Sequence, residues 1–159
     1  MATEWSKATP ELLDIATELI DLYHPHLQDA SIGFLFRSEA PKSNGHVTLG
    51  KAKKISADMN MFMDYDFVIW VALDWWDRLK PGQKVALVDH ELHHCWMDAE
   101  GKPSMRPHDV EEFNAIIERH GFWWPTAEET MQAIQGSLLP VERTKRGRVE
   151  AVSNLAEFA

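Results

Sequence analysis

One short segment of the chain has the residue types and the spacing of a zinc-binding motif. The sequence contains His90-Glu91-Leu92-His93-His94, which has the form H-E-x-x-H. Residues four positions apart on an α-helix lie on nearly the same face, so His90 and His94 can point two imidazole nitrogens at one cation. Glu91 projects from a neighbouring line of the helix and can take a proton from a water molecule that the cation activates. The segment therefore predicts a Zn²⁺ site with a catalytic carboxylate beside it.

A catalytic zinc ion usually takes three protein ligands and leaves one position for water, so a third ligand is needed. We favour His108, because the glycine- and proline-containing stretch after His94 is long enough to turn the chain back. Glu112, one helical turn beyond His108, is the alternative, either as a ligand or as a hydrogen-bond acceptor for an imidazole N–H. Acidic residues here, Glu111 among them, are equally typical of the first turn of a helix. His93 is rotated by about 100° from His94 and is expected to face away.

The two histidines of the motif lie on a predicted helix that runs from about Gln83 to Trp96. Its opposite side carries an apolar stripe, which predicts that one face packs in the core while the other presents the metal ligands. Cys95 is directed toward this stripe, and we expect it to be a core residue and not a ligand. The stripe consists of Val85, Val88, Leu92 and Trp96.

The remaining patterns predict an α+β fold: a small three- to four-stranded sheet packed on the active-site helix, with further helices. Residues 1–139 are predicted to form one domain, and residues 140–159 a C-terminal tail that is free to be flexible. The predicted helices run from Pro10 until Pro25, from Pro107 to Gly121 and from Thr126 to about Leu138; the predicted strands are Ser31–Arg37, His46–Ile55 and Phe67–Leu73, with a loop at Met59–Met63.

Composition restricts the possible functions further. The chain has 159 residues, of which 45% are hydrophobic, as expected for one globular domain. No run of about 18 apolar residues predicts a membrane span, and the N-terminus has no pattern of an export signal. A net charge of -9 argues against nucleic acid as a partner, and a single cysteine fits a reducing compartment. We therefore expect a cytoplasmic protein.

The surroundings of the motif resemble a known family. The segment Ala86–Cys95 (ALVDHELHHC), followed by Arg106–Phe113 (RPHDVEEF), resembles the phage metallopeptidase family, which is itself similar to the SprT-like zincins. Gly50–Ile55 and Asp66–Trp70 also resemble strand segments of that family. The resemblance spans roughly Thr9 to Pro125, so it leaves the tail unaccounted for.

This resemblance implies a minimal zincin-like domain of phage or prophage origin. It implies a zinc ion on His90, His94 and His108, with Glu91 as the general base. The expected function is peptide-bond hydrolysis in the host bacterial cytoplasm. The expected substrate is a peptide or a protein, and host proteins are among the candidates. The residue that would stabilise the oxyanion is left open. Its candidates are Tyr23, Tyr65, Arg106 and His120.

Two other functions remain open at this point. The chain can be a metal-stabilised zincin scaffold that binds and inhibits a host protein with little or no proteolysis. It can also be a helical binding domain in which the motif occurs by chance, although the match around His108 counts against this. The first alternative differs from the enzyme at Glu91, because only an enzyme requires that carboxylate.

Overall fold

The computed structural model describes residues 2–108, 114–120 and 147–152. Helices and strands are interspersed along the described residues. In chain order the elements are β1 (Trp5–Lys7), α1 (Pro10–Tyr23), a 3-10 turn (Pro25–Leu27), β2 (Ile32–Arg37), β3 (Lys42–Ser43), β4 (His46–Val47), β5 (Gly50–Lys54), α2 (Ala57–Met63), β6 (Phe67–Ala72), α3 (Leu73–Trp76), α4 (Pro81–His94), β7 (Cys95–Met97), β8 (Pro103–Met105), α5 (Asn114–His120) and β9 (Val149–Ala151).

The main sheet has β2 and β6 at its centre, and these two strands are parallel. β5 pairs antiparallel with the outer side of β6. On the other side of β2, β9 pairs in parallel with Ile32–Phe34, and β1 pairs antiparallel with Leu35–Arg37. All six residues of β6 are buried, because both faces of the sheet are covered, and this explains its uninterrupted apolar sequence.

The helices α1 and α4 cover one face of this sheet. Phe34 and Ile69 from that face pack in the main core with apolar residues of both helices. Leu35 and Trp70, which alternate with them, point to the opposite face, where they pack in a second cluster that includes Met63 of α2. The helix that carries the motif is thus held directly against the sheet. Its buried apolar residues are Ala86, Leu87, Val88 and Leu92.

The predicted α+β fold is confirmed, and so are helix α1 and the strands within the three predicted segments. Among the described residues the sheet has five strands and not the predicted three to four; the two strands that no sequence pattern indicated, β1 and β9, are only three residues long. The predicted single strand His46–Ile55 is two strands. β4 pairs with β3 in a hairpin whose turn places Asn44 and Gly45 at positive φ, as a type I′ turn requires.

Two local predictions are wrong. Met59–Met63, predicted as a loop, lies in helix α2, which ends where Asp64 adopts a left-handed conformation (φ 52). The helix with the motif ends at His94 and not at Trp96. Cys95 is already extended because it begins β7, which pairs with β8. Trp96 therefore leaves the apolar stripe and is 40% exposed.

Other predictions fall partly outside the described residues. The helix predicted from Pro107 to Gly121 is described only as α5, and the predicted helix to Leu138 lies wholly outside. Part of the predicted tail is described as β9, and the domain boundary between residues 139 and 140 stays a prediction. No helix among the described residues is long and apolar enough to cross a membrane.

We expect Gly33→Ala to destabilise the protein, because Val152, the residue after β9, packs closely against Gly33 of β2. A Cβ atom at Gly33 would lie 2.9 Å from Cγ2 of Val152 and 3.1 Å from the ring of Tyr65. The expected loss is about 1–3 kcal/mol of unfolding free energy, measured by urea denaturation. Adding Val152→Ala to this variant should recover part of the loss, because it removes the methyl group that the new Cβ would contact. Gly82→Ala is the matched control, since no atom lies within 4 Å of its added Cβ. Equal stabilities of the two alanine variants would contradict the packing of Val152 on β2.

Candidate metal centre

Three histidine side chains meet at the end of helix α4. His90 and His94 lie one helical turn apart, and His108 follows β8. The three side chains offer ligand atoms that all lie within 4.8 Å of one another. The Nε2 atoms of His90 and His108 are 3.2 Å apart. The structure therefore brings together all three histidines that the sequence singled out.

This donor set fits a tetrahedral zinc ion. Two nitrogens bound at about 2.0–2.1 Å to such an ion are roughly 3.3 Å apart, close to the separation of His90 and His108. His94 donates a hydrogen bond from Nδ1 to the carbonyl oxygen of Arg106, at 2.7 Å. This bond leaves Nε2 of His94 available to a metal ion and sets the direction of its ring, as is usual for histidines that bind metal. His90 and His94 are half-buried and His108 is exposed, so the cluster is open on one side.

A short hairpin explains how His108 returns to the motif. Strands β7 and β8 pair antiparallel, with Cys95 opposite Met105. Their turn is closed by Asp98, whose Oδ1 accepts hydrogen bonds from the backbone N–H groups of Glu100 and Lys102, while Gly101 takes a positive φ of 80. The glycine of the intervening stretch thus supplies the conformation that turns the chain back.

Glu91 lies beside the cluster and is almost completely buried, with 4% of its surface exposed. Its Oε1 atom is 3.9 Å from Nε2 of His90. Strand β5 begins against this carboxylate: a Cβ atom on Gly50 would lie 3.4 Å from Cγ and Oε1 of Glu91, and 3.1 Å from the carbonyl oxygen of Trp70. A side chain at position 50 would therefore crowd the carbonyl oxygen of Trp70 and reach van der Waals contact with Glu91. A glycine within a strand pattern is the sequence signal that could have identified it.

The comparisons with known proteins agree with this geometry. The sequence model of a family described as "Putative phage metallopeptidase" matches residues 3–135, which include the sheet strands β1, β2, β5 and β6 and all three histidines. The chain belongs to the phage metallopeptidase family. Membership implies a metal ion and a protein or peptide substrate. Neither the curated proteins nor the solved structures gave a match.

Family membership confirms the resemblance seen in the sequence, whereas the further likeness to SprT-like zincins stays a prediction. Glu111 and Glu112, the alternatives around the third ligand, lie outside the described residues. The candidate oxyanion donors engage other groups. Tyr65 donates to Oε1 of Glu150 at 2.8 Å, and the guanidinium of Arg106 lies 5.8 Å from the ring centre of Trp96.

Tyr23 and His120, the other two candidates, belong to a buried network around Asp89, which sequence reasoning missed. Asp89 precedes the motif and is fully buried. Its carboxylate accepts hydrogen bonds from Nε2 of His24 (2.6 Å), from Nε2 of His120 (2.8 Å) and from Nη1 of Arg119, which is 2.7 Å from both oxygens. The guanidinium of Arg119 also lies 4.0 Å from the ring centre of Tyr23.

The charge state of Asp89 follows from these contacts. Burial alone would raise the pKa of this carboxyl group, but the hydrogen bonds from His120 and His24 and the positive charge of Arg119 more than offset it. The pKa of Asp89 is therefore held well below its usual range. Asp89 is an anion at neutral pH and joins α4 to α1 and α5. Only the position of an acidic residue beside the motif could have drawn attention to it.

Two further histidines, His24 and His93, are buried side by side and are not members of the three-histidine cluster. His93 is 8% exposed and its ring lies 5.8 Å from that of His24, so the prediction that His93 faces away from the site is confirmed. Burial, followed by the nearby charges of His24 and Arg106, lowers the pKa of His93 to about 3. Cys95 is fully buried in the main core, as predicted, and burial raises the pKa of its thiol.

We expect His26 to make the stability of the metal-free protein depend on pH. Burial, with the neighbouring His24, lowers the pKa of His26 from 6.5 to about 4 in the fold, although its Nε2 is 3.2 Å from the carbonyl oxygen of Cys95. Between these two values the unfolded chain binds a proton that the folded chain does not, so stability is present above pH 6.5 and is lost on acidification. When the pH is lowered from 7 to 5, the unfolding free energy of His26→Gln should fall by about 1 kcal/mol less than that of the wild type. Urea unfolding at the two pH values measures this difference.

The control for this experiment is His46→Gln, which changes an exposed histidine on β4. This variant should lose as much stability between the two pH values as the wild type does. An unchanged pH dependence in His26→Gln would show that His26 is not held neutral by its surroundings.

Proposed function

We propose that the chain is a zinc-dependent endopeptidase that hydrolyses peptide bonds, with His90, His94 and His108 as the metal ligands and Glu91 as the general base. The observation that carries the proposal is the convergence of three imidazoles beside one buried carboxylate. Three histidines with an open fourth position are a donor set of catalytic zinc sites, whereas structural zinc sites are usually closed by a fourth protein ligand.

The position of Glu91 is suited to proton transfer. When bound, the ion would acidify a water molecule and polarise the carbonyl group of the scissile peptide bond. Oε1 of Glu91, at 3.9 Å from a proposed ligand atom, is near enough to accept the proton of the attacking water. The same carboxyl group then gives that proton to the nitrogen of the leaving amine, so it ends each cycle as a carboxylate.

An extended peptide is the substrate form that the neighbouring strand favours. Among the described strands, β5 is the terminal strand on its side of the main sheet and pairs only with β6. It begins at Gly50, in contact with Glu91. The outer edge of such a strand offers backbone donors and acceptors to a peptide that runs beside it. We therefore propose an extended peptide, held along this edge near Glu91, as the substrate form.

The proposal includes an intracellular setting. We infer that the enzyme acts in the host bacterial cytoplasm, on peptide or protein substrates that include host proteins. The phage family is in keeping with this setting, and so is a single cysteine, which cannot form a disulfide bond within the chain.

We expect about one zinc ion per chain in protein purified without chelators, and a loss of most of this zinc in His108→Ala. Removal of one of three ligands weakens the site, because two imidazoles on one helix turn remain. Elemental mass spectrometry of the untagged protein gives the metal content. His46→Ala, which removes an exposed histidine of β4, should retain the ion. Equal zinc contents in the two variants would exclude His108 as a ligand.

We expect Glu91→Gln to keep the zinc ion and to lower peptide hydrolysis by about 10²–10⁴-fold, because the amide cannot accept the proton. Turnover of a fluorogenic peptide library measures the effect, with zinc content determined on the same samples. Glu100→Gln is the matched control, because this glutamate is 79% exposed in the β7–β8 turn. Retained hydrolysis in Glu91→Gln would contradict the role of Glu91. A wild type that binds zinc without hydrolysing any peptide would instead support an inhibitory scaffold.

A further inference from the structure

His108 is the one member of the histidine cluster that burial does not hold in place. It is exposed, whereas His90 and His94 are half-buried on a helix packed against the sheet. The position of an exposed side chain on a connecting segment depends in part on how the chain is anchored before and after it. The anchors in β8 and α5 therefore contribute to where His108 lies.

The upstream end is anchored to the motif itself. The backbone N–H of Arg106 donates a hydrogen bond to the carbonyl oxygen of His94, and the carbonyl oxygen of Arg106 accepts one from Nδ1 of His94, each at 2.7 Å. This pair of bonds fixes the chain two residues before His108.

The downstream end is anchored through α5. Ile116 of this helix is fully buried in the main core. Arg119 and His120, at the last turn, both bind the carboxylate of Asp89, which immediately precedes His90 on α4. The side chains of Arg119 and His120 are only 8% and 14% exposed. The contact is therefore made away from bulk water, where an ion pair is directional and is little screened by salt.

We propose that Asp89 is a positioning residue for the metal site: by holding Arg119 and His120 of α5, it fixes the segment that carries His108 opposite His90 and His94. A buried ion pair contributes little net stability compared with apolar residues of the same size, but it specifies one arrangement of the elements it joins. Asp89 thereby helps to bring His108, which is distant in sequence, to the two histidines that lie one turn apart on α4. The inference rests on the proposed zinc site.

The test is a double-mutant cycle on zinc affinity in the full-length chain. Dissociation constants for Zn²⁺ are measured by competition with a chromophoric chelator for the wild type, Arg119→Met, His108→Ala and the double variant. Arg119→Met should raise the dissociation constant about 10-fold, within the range found when a group that orients a metal ligand is removed. In the His108→Ala background the same substitution should change it by less than about 2-fold, because the ligand that it positions is absent.

Three further variants separate positioning from general stability. Lys84→Met breaks the ion pair of Lys84 with Glu11 (3.1 Å), which also joins α4 to another helix but does not involve α5, and it should leave zinc affinity unchanged. Arg119→Lys keeps the positive charge and should recover part of the affinity. His120→Gln provides a second cycle with His108→Ala should Arg119→Met fail to fold. Thermal unfolding of each metal-free variant by circular dichroism establishes which of them are folded.

The outcomes of this cycle are distinct. Non-additivity between residue 119 and residue 108 supports the inference. An equal change of affinity in both backgrounds, or no change in either, overturns the positioning role while the zinc site stands. If His108→Ala binds zinc as tightly as the wild type, the proposed site itself fails, and the positioning role fails with it.

Discussion

The arrangement of the site depends on two hydrogen bonds between His94 and Arg106. Through its backbone and its ring, His94 binds both polar backbone groups of Arg106. These bonds close the β7–β8 hairpin onto the end of α4 and determine which ring nitrogen of His94 points into the histidine cluster. They also return the chain to the end of α4, where Nε2 of His108 lies 3.2 Å from Nε2 of His90. Without these hydrogen bonds, fixing the position of the exposed His108 would cost more conformational entropy, because the whole connecting chain would have to be ordered.

The rest of the fold provides a rigid support for this closure. The apolar side of α4 packs on the sheet, so its last turn projects the motif histidines from a fixed base. Glu91 is buried and His108 is exposed, while His90 and His94 are half-buried. The histidine cluster therefore lies at the boundary between the core and the surface. Gly50 is part of the same arrangement, because a Cβ atom there would crowd the carbonyl oxygen of Trp70 and reach van der Waals contact with the side chain of Glu91. The meeting of His108 with His90 and His94 thus follows from tertiary packing, whereas the common face of His90 and His94 follows from helical geometry.

Much of the fold could be predicted because its signals are local. Pro10 and the apolar period that follows it define α1, and the uninterrupted apolar sequence of β6 reports burial on both faces. At the end of α4, where prediction was wrong, pairing with another strand decided the conformation. Trp96 continues the helical period of α4, yet β8 pairs with the chain there and makes it a strand. β9 is too short to be recognised alone and exists through its pairing with β2.

The sequence by itself determined the identity and spacing of the candidate metal ligands. His90 and His94 share a face because helical geometry alone places residues four apart together, and the choice of His108 followed from the need for a third ligand. Only the tertiary structure decided that His108 reaches the other two, that Gly50 borders Glu91 and that Asp89 joins three helices. The physical reason is that helical periodicity is a property of neighbouring residues. Contacts between residues far apart in the chain depend on how hairpins, sheet and buried charges fit together in space.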